Sequence, residues 1–240
     1  MAFDKNALIQ RVQEVLKNPV GVWQTISQEP SDPKPVLVNY VLPLLGLSAV
    51  SSFLSAAVVG IPTPFLGTIR IPVGSALWNS LLQLLLSLVF LVLFSLAFNY
   101  WAPRFQGSTS KERCFQLLAY SSTAGLIGSI LAIVPVLGWL AAIGLGIYGL
   151  YTLYQGITPM TGVPASERLK FFGASFLSAV VLAVVVNLLA MPLRSKGFTL
   201  TTENGVYDEK SVEKFTKDAE EFSKGAQQLL KSLPIPQDGR

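Results

Sequence analysis

Side chains that perform catalysis are scarce in this chain. It contains no histidine among its 240 residues, and Cys114 is its single cysteine. These counts exclude a Ser–His triad, a His-ligated metal, a cysteine metal cluster and an intrachain disulfide. We therefore predict no catalytic residue, no metal site and no bound cofactor, and a protein that is not an enzyme.

The polar residues that could act inside the apolar segments of the chain are neutral. Gln83 and Asn187 both fall well inside such segments, which contain no Asp, Glu, Lys or Arg. Ionisable residues inside a membrane normally mark ion paths and proton relays. Their absence disfavours proton-coupled transport and proteolysis by paired acids. It leaves two interpretations for Gln83 and Asn187: hydrogen bonds between helices, or contacts with a substrate.

Small residues recur every four positions in one apolar segment. Ser121, Gly125 and Ser129 would share one face of a helix, and such rows let two helices approach closely. We predict that this face packs against a neighbouring helix. The alternative is that these residues line a cavity.

The elements that must position these residues are membrane spans. The chain is 51% hydrophobic and 13% charged, whereas soluble domains carry about 25% charge. A transmembrane helix needs about 20 apolar residues. Five segments are long enough, at 36–60, 76–101, 114–134, 136–157 and 171–193. The predicted fold is an all-α integral membrane bundle of five helices over residues 36–193, with the lipid bilayer as its main partner.

The distribution of Lys and Arg predicts an orientation. The N-terminal segment, the second loop and the fourth loop together hold nine of these residues, whereas Arg70 stands alone in the first and third loops. Positive charges favour the cytoplasmic side. We predict a cytoplasmic N-terminus and, after five spans, an extracytoplasmic tail. The net charge of +4 is not concentrated in one basic run, so no nucleic-acid partner is predicted.

Residues 1–35 precede the first span. Residues 3–26 have the apolar stripe of an amphipathic helix, and residues 27–35 contain three prolines, as a linker does. The helix would lie on the cytoplasmic membrane surface or pack against the inner face of the bundle. The sequence does not distinguish these alternatives.

The tail, residues 194–240, holds two patterned stretches. Residues 198–207 alternate and contain Asn204-Gly205, which predicts a small hairpin or an extended piece. Residues 208–233 form a predicted amphipathic helix with a coiled-coil-like seam through which the protein would self-associate or bind a partner. A single helix lying on the protein or the membrane is the alternative. The seam contains Val212, Phe215, Phe222, Leu229 and Leu233.

Short motifs in this layout resemble those of the Yip (Ypt-interacting protein) domain family. They are PVGVWQTI at 19–26, Ala-Tyr-Ser at 119–121, PVLGW at 135–139, and YTLYQGITPMTGV at 151–163 followed by Pro164. The resemblance covers about residues 10–193 and implies a five-span fold. Family members often carry a proline shortly after the Tyr-Ser, but residues 122–125 contain none. The short N-terminal region resembles bacterial members, which implies a bacterial inner membrane location without a Rab GTPase partner.

These observations support two functional hypotheses. In the first, the protein is a non-enzymatic scaffold, assembly factor or accessory subunit of a membrane complex, with the tail as its contact surface. In the second, it is a transporter of small molecules or lipids, or a channel subunit. The second hypothesis requires a cavity near Gln83 and Asn187.

Overall fold

Five long apolar helices form the body of the molecule in the computed structural model. The structure describes residues 4–63, 67–134, 137–194, 199–202, 205–208, 210–211, 213–214, 216–218, 221 and 223–225. The five helices are Pro33–Val59, Val73–Phe105, Lys111–Leu131, Leu137–Thr161 and Arg168–Leu193, called the first to fifth spans below. Each is long enough to cross a bilayer at a rise of about 1.5 Å per residue. The predicted five-helix membrane bundle is confirmed.

The third span lies at the centre of the bundle. Within its most apolar stretch 61% of the residues are buried, against 6% in the fifth span. The first, second and fourth spans all pack against the third, and the fifth span packs mainly against the second. The fifth span therefore lies at the periphery, with most of its surface facing outward.

Two helices precede the first span: α1 (Lys5–Lys17) and α2 (Gly21–Gln28). The Asp4 carboxylate accepts hydrogen bonds from the backbone N–H groups of residues 6 and 7, which caps α1. Trp23 and Ile26 of α2 are fully buried against the bundle. Of the two alternatives for this segment, the structure shows packing against the bundle. The end of the bundle that carries these helices is called the α1 end.

A small sheet covers the opposite end, called the sheet end. Its strands are β1 (Ile61–Thr63), β2 (Gly67–Arg70), β3 (Thr199–Thr202) and β4 (Gly205–Asp208), antiparallel in that order. The hairpin predicted for the tail is present as β3 and β4. The all-α description omitted the sheet because β2 pairs with β3, far along the chain, and no local pattern reveals such a pairing.

The tail becomes helical again after β4. Both the backbone N–H and the hydroxyl of Ser211 donate to the Asp208 carboxylate, at 2.9 and 2.6 Å. These hydrogen bonds lower the pKa of Asp208. The described residues from Lys210 to Gly225 are helical. The predicted seam lies outside the described residues at each of its positions: Val212, Phe215, Phe222, Leu229 and Leu233.

Candidate functional site: a cavity between the spans

The third span is interrupted near its middle by its own hydroxyl groups. It consists of α3 (Lys111–Ser121) and α4 (Thr123–Leu131), separated by Ser122. The three successive hydroxyls at 121–123 donate to backbone carbonyls three or four residues earlier, at 2.6–2.8 Å. Hydroxyls that bond back in this way often bend helices. Hydrogen-bonding side chains thus accompany the helix break at a point where the chain has no proline.

The two helices of the third span have different neighbours. Helix α3 packs closely against the second and fourth spans, whereas α4 packs against the first and fourth. The second span therefore loses its close contact with the third beyond Ser122. The fifth span does not close this gap, because it contacts the fourth span only sparsely. A space remains around the level of the break and extends toward the sheet end.

A cavity of about 420 Å³ occupies this space, and all five spans contribute to its wall. Four of the residues singled out in the sequence line it: Gln83, Ser121, Gly125 and Asn187. They come from the second, third and fifth spans. Most of the remaining wall is apolar and includes Leu45, Leu86, Phe90, Phe94, Leu118 and Leu153.

Two glycines widen the cavity instead of bringing helices together. A Cβ atom added at Gly125 or at Gly146 would meet no atom within 4 Å. Both glycines lie on the cavity wall. By contrast, a Cβ at Gly128 would lie 3.0 Å from the Cα of Ala142, so Gly128 is where α4 and the fourth span approach closely. Gly125, placed on a packing face by its spacing, faces open space.

Ser129 lies away from the cavity, at the interface with the first span. Its hydroxyl lies 2.6 Å from that of Ser48, and the Ser51 hydroxyl donates to the Ile130 carbonyl at 2.7 Å. These bonds join the first span to α4. The row Ser121, Gly125 and Ser129 thus serves two environments, because Ser121 and Gly125 line the cavity whereas Ser129 contacts the first span.

Most polar groups on the cavity wall form hydrogen bonds within their own helices. The hydroxyls of Ser121 and Ser122 donate to carbonyls of α3, and that of Ser87 donates to the Gln83 carbonyl at 2.8 Å. No ionisable side chain lines the cavity among the described residues. The amide of Asn187 donates to the Ala183 carbonyl at 2.8 Å, and that of Gln83 donates to the Ser87 hydroxyl at 3.4 Å. An amide nitrogen carries two N–H groups, so each keeps a second donor. Both residues lie on the part of the wall nearer the sheet.

A tryptophan and an arginine flank that end of the cavity. The Trp78 indole N–H donates to the Leu193 carbonyl at 2.6 Å, which ties the start of the second span to the end of the fifth. The Arg194 guanidinium donates to the Asn187 side-chain oxygen at 2.7 Å. Arg194 therefore reaches back along the fifth span to a residue that lines the cavity.

At the α1 end the same bundle is closed. Trp23 has no exposed surface, and its indole N–H donates to the Thr152 carbonyl at 3.0 Å. A Cβ added at Gly156 would lie 2.5 Å from the Leu117 side chain and 2.7 Å from the Trp23 ring. Glycine at 156 is therefore what allows Trp23 to insert between the third and fourth spans.

Charged residues hold α1 against this closed end. Arg11 donates to Glu29 of the linker and lies over the Tyr120 ring, 5.6 Å from its centroid. Burial is the largest single influence and lowers the pKa of Arg11, but the hydrogen bond to Glu29 and the charge interactions with Tyr120, Glu29 and Glu14 together raise it above its ordinary value. Sequence reasoning missed this pair, because a helix and a linker 18 residues apart show no common pattern.

A polar hollow of about 700 Å³ lies beside this ion pair, between α1, the linker and the first and third spans. Asp4, Asp32 and Asn39 contribute to its wall along with Arg11 and Glu29. The described residues contain no group of three or more His, Cys, Asp or Glu side chains able to hold a metal ion. Among its charged groups, Arg11 and Glu29 join α1 to the linker, whereas Asp4 and Asp32 accept hydrogen bonds from the backbone at the starts of α1 and the first span.

Taken together, five apolar spans, of which the central one is broken, define an integral membrane protein of the five-span type. The model of the Yip1 domain matches residues 14–188, which include α2 and nearly all of the five spans. The chain therefore belongs to the Yip1 domain family, as the motifs at 19–26 and 119–121 indicated. No curated protein and no solved structure matches it.

Proposed function

We propose that this protein is a lipid-handling membrane protein that binds an acyl chain in the cavity between its spans. The observation that carries the proposal is the apolar cavity of about 420 Å³ left where the third span breaks at Ser122. Its volume falls in the range of about 300–1,000 Å³ found for ligand pockets. The proposed activity is binding and does not involve catalysis.

The contents of the cavity follow from its wall. Gln83 and Asn187 on the wall are exposed, so the cavity is open to its surroundings. Water is a poor occupant, because the serine hydroxyls of the wall already bond within their helices. The surrounding bilayer supplies acyl chains, which match an apolar wall.

The neutral wall also separates this proposal from other kinds of transport. Ion and proton pathways through a membrane normally use ionisable groups, and the described wall contains none. The two amides, Gln83 and Asn187, suit an ester or a hydroxyl group of a lipid. This geometry favours lipid handling over the other members of the transporter and channel class.

Glycine substitutions test the proposal. Gly146→Leu would place a large side chain in the cavity, where space is available. Gly144→Leu is the matched control: it lies two residues away on the same helix, also has open space, and does not line the cavity. Both changes replace a helical glycine by a better helix former.

The measurement is native mass spectrometry of the full chain extracted in mild detergent. We expect lipid adducts on the wild type and on the Gly144→Leu variant, and a loss of most adducts on the Gly146→Leu variant. Gly125→Leu fills the same cavity from the third span and should give the same result. Equal lipid retention in all four proteins would refute the proposal.

A second candidate function is a scaffold or accessory subunit that acts through the tail. It is favoured by the pairing of β2 with β3, which attaches the tail to the loop between the first and second spans. Deleting residues 208–233 should then change the native mass or the set of proteins that co-purify. If both are unchanged, the scaffold hypothesis fails.

The proposed location is a bacterial inner membrane, with the α1 end in the cytoplasm and the sheet end outside it. The excess of Lys and Arg in the N-terminal segment and in the second and fourth loops supports this orientation. Labelling of a cysteine introduced at an exposed residue of each end tests it. An Asp208→Cys variant should react with a membrane-impermeant reagent in intact cells, whereas an Asn6→Cys variant should not.

A further inference from the structure

We infer that the cavity selects an anionic glycerophospholipid, whose phosphate binds Arg194 at the sheet end while an acyl chain fills the cavity. This inference rests on the proposed function and names the class of lipid. The residues that carry it are Arg194, Asn187, Gln83 and Trp78, which lie together at one end of the cavity.

The first step is the depth of each group along the two spans. Trp78 and Leu193 are joined by a hydrogen bond and therefore lie at one level. Gln83 follows Trp78 by five residues, about 7 Å along the helix, and Asn187 precedes Leu193 by six, about 9 Å. The two amides thus lie at a similar depth below the tryptophan.

The second step is the level of the headgroups. Tryptophans concentrate at the membrane interface, where the polar indole N–H and the apolar ring suit both environments. Trp78 is 52% exposed and lies beside the last residues of the fifth span. The phosphate layer of the leaflet at the sheet end is therefore expected near Trp78 and Arg194.

The third step is the bonding capacity of Arg194. A guanidinium carries several N–H donors, and the described bond to Asn187 uses one of them. None of the ion pairs in the described part of the chain includes Arg194. Its charge and its remaining donors suit a phosphate, which guanidinium groups bind in a bidentate manner.

The fourth step is the path of the ligand. The Arg194 guanidinium contacts the Asn187 amide at 2.7 Å, so a phosphate bound to Arg194 lies beside the amides of Asn187 and Gln83 at the mouth of the cavity. The acyl chain then continues past Phe90 to Phe94 and Leu153 on the apolar wall. A polar end that carries one charge thus adjoins an apolar wall, as the headgroup of a glycerophospholipid adjoins its acyl chains.

The test compares phosphatidylglycerol with phosphatidylcholine of identical acyl chains, titrated into the delipidated full-length protein and followed by native mass spectrometry. The variants are Arg194→Gln, Arg194→Lys and the control Arg70→Gln. Arg70 lies on β2 at the same end and is exposed, so its loss changes the net charge equally without touching the cavity.

We expect the wild type to bind phosphatidylglycerol about tenfold more tightly than phosphatidylcholine, because the quaternary ammonium of choline offsets the phosphate charge that attracts Arg194. Arg194→Gln should abolish this preference, because it weakens the binding of phosphatidylglycerol more than that of phosphatidylcholine. Arg194→Lys should keep part of the preference for phosphatidylglycerol, and Arg70→Gln should keep all of it. The inference is overturned if the wild type binds both lipids equally, if Arg70→Gln loses the preference too, or if inorganic phosphate alone competes at equal concentration.

These outcomes differ from a failure of the proposed function. If the wild type binds neither lipid, or if Gly146→Leu binds both as well as the wild type does, the cavity is not a lipid site and both proposals fall. If Gly146→Leu loses both lipids while the wild type shows no headgroup preference, lipid binding stands and the role of Arg194 is wrong.

Discussion

The two halves of the bundle differ in how they are closed. At the α1 end, a side chain from outside the spans, Trp23, is inserted beside Gly156 and is held by a hydrogen bond to the fourth span. In the half nearer the sheet, two glycines, Gly125 and Gly146, face empty space. Apolar helices gain little from leaving lipid to contact one another. Under the proposed function, the closed half is structural and the open half receives a ligand from the bilayer.

Among the variants that test this comparison, the largest change in the free energy of unfolding is expected at Trp23. Trp23→Ala should lower the free energy of unfolding by about 3–5 kcal/mol, because it empties a buried site and leaves the Thr152 carbonyl without that donor. Equilibrium unfolding in mixed micelles measures it. Trp139→Ala is the control, since Trp139 is 67% exposed. Equal losses in the two variants would contradict the assignment of Trp23 to the closed half.

Replacing single glycines by alanine compares the packing of the two halves directly. Gly156→Ala should destabilise the protein by about 1–3 kcal/mol, because its methyl group would overlap Leu117 and Trp23. Gly146→Ala meets no atom and should stabilise the helix by about 0.5–1 kcal/mol. The same unfolding assay measures both. Effects of the same sign would show that the two halves are equally packed.

The smallest effect is expected at the ion pair of the α1 end. Glu29→Gln removes the charge that faces Arg11 and should cost at most about 1 kcal/mol, because both side chains are partly exposed. The loss should shrink as salt is added, since salt screens such pairs. Glu213→Gln breaks an exposed pair with Lys217 and serves as the control, with no measurable change in the unfolding midpoint. If the stability lost in Glu29→Gln does not depend on the salt concentration, the ion pair between Arg11 and Glu29 has no electrostatic role.

The sequence predicted the parts of the molecule that depend on local patterns. The five spans follow from runs of apolar residues, and the tail hairpin follows from Asn204-Gly205 between alternating residues. Each of these features is encoded within a stretch of about 25 residues, so periodicity and composition were sufficient. The absence of a proline at 122–125 put a kink of the third span in doubt, whereas the structure breaks the span at Ser122.

The features that were missed depend on contacts between distant residues. The pairing of Thr68 with Thr201, and that of Arg11 with Glu29, join separate segments. Gly125 was placed on a packing face because its spacing from Ser121 and Ser129 suits one. The break at Ser122 changes which helices these residues meet, and spacing alone does not encode that change.

The central claim, that an acyl chain occupies the cavity, is tested most directly by photo-crosslinking in a bilayer. Phosphatidylglycerol and phosphatidylcholine, each with a diazirine midway along one chain, would be activated around the wild type and the Gly146→Leu variant. Adducts would be located by peptide mass spectrometry. We predict adducts on Phe90, Leu118 or Leu153 that Gly146→Leu abolishes. Adducts confined to outward-facing residues such as Leu140, Ile147 and Leu177, and unchanged in the variant, would contradict the claim.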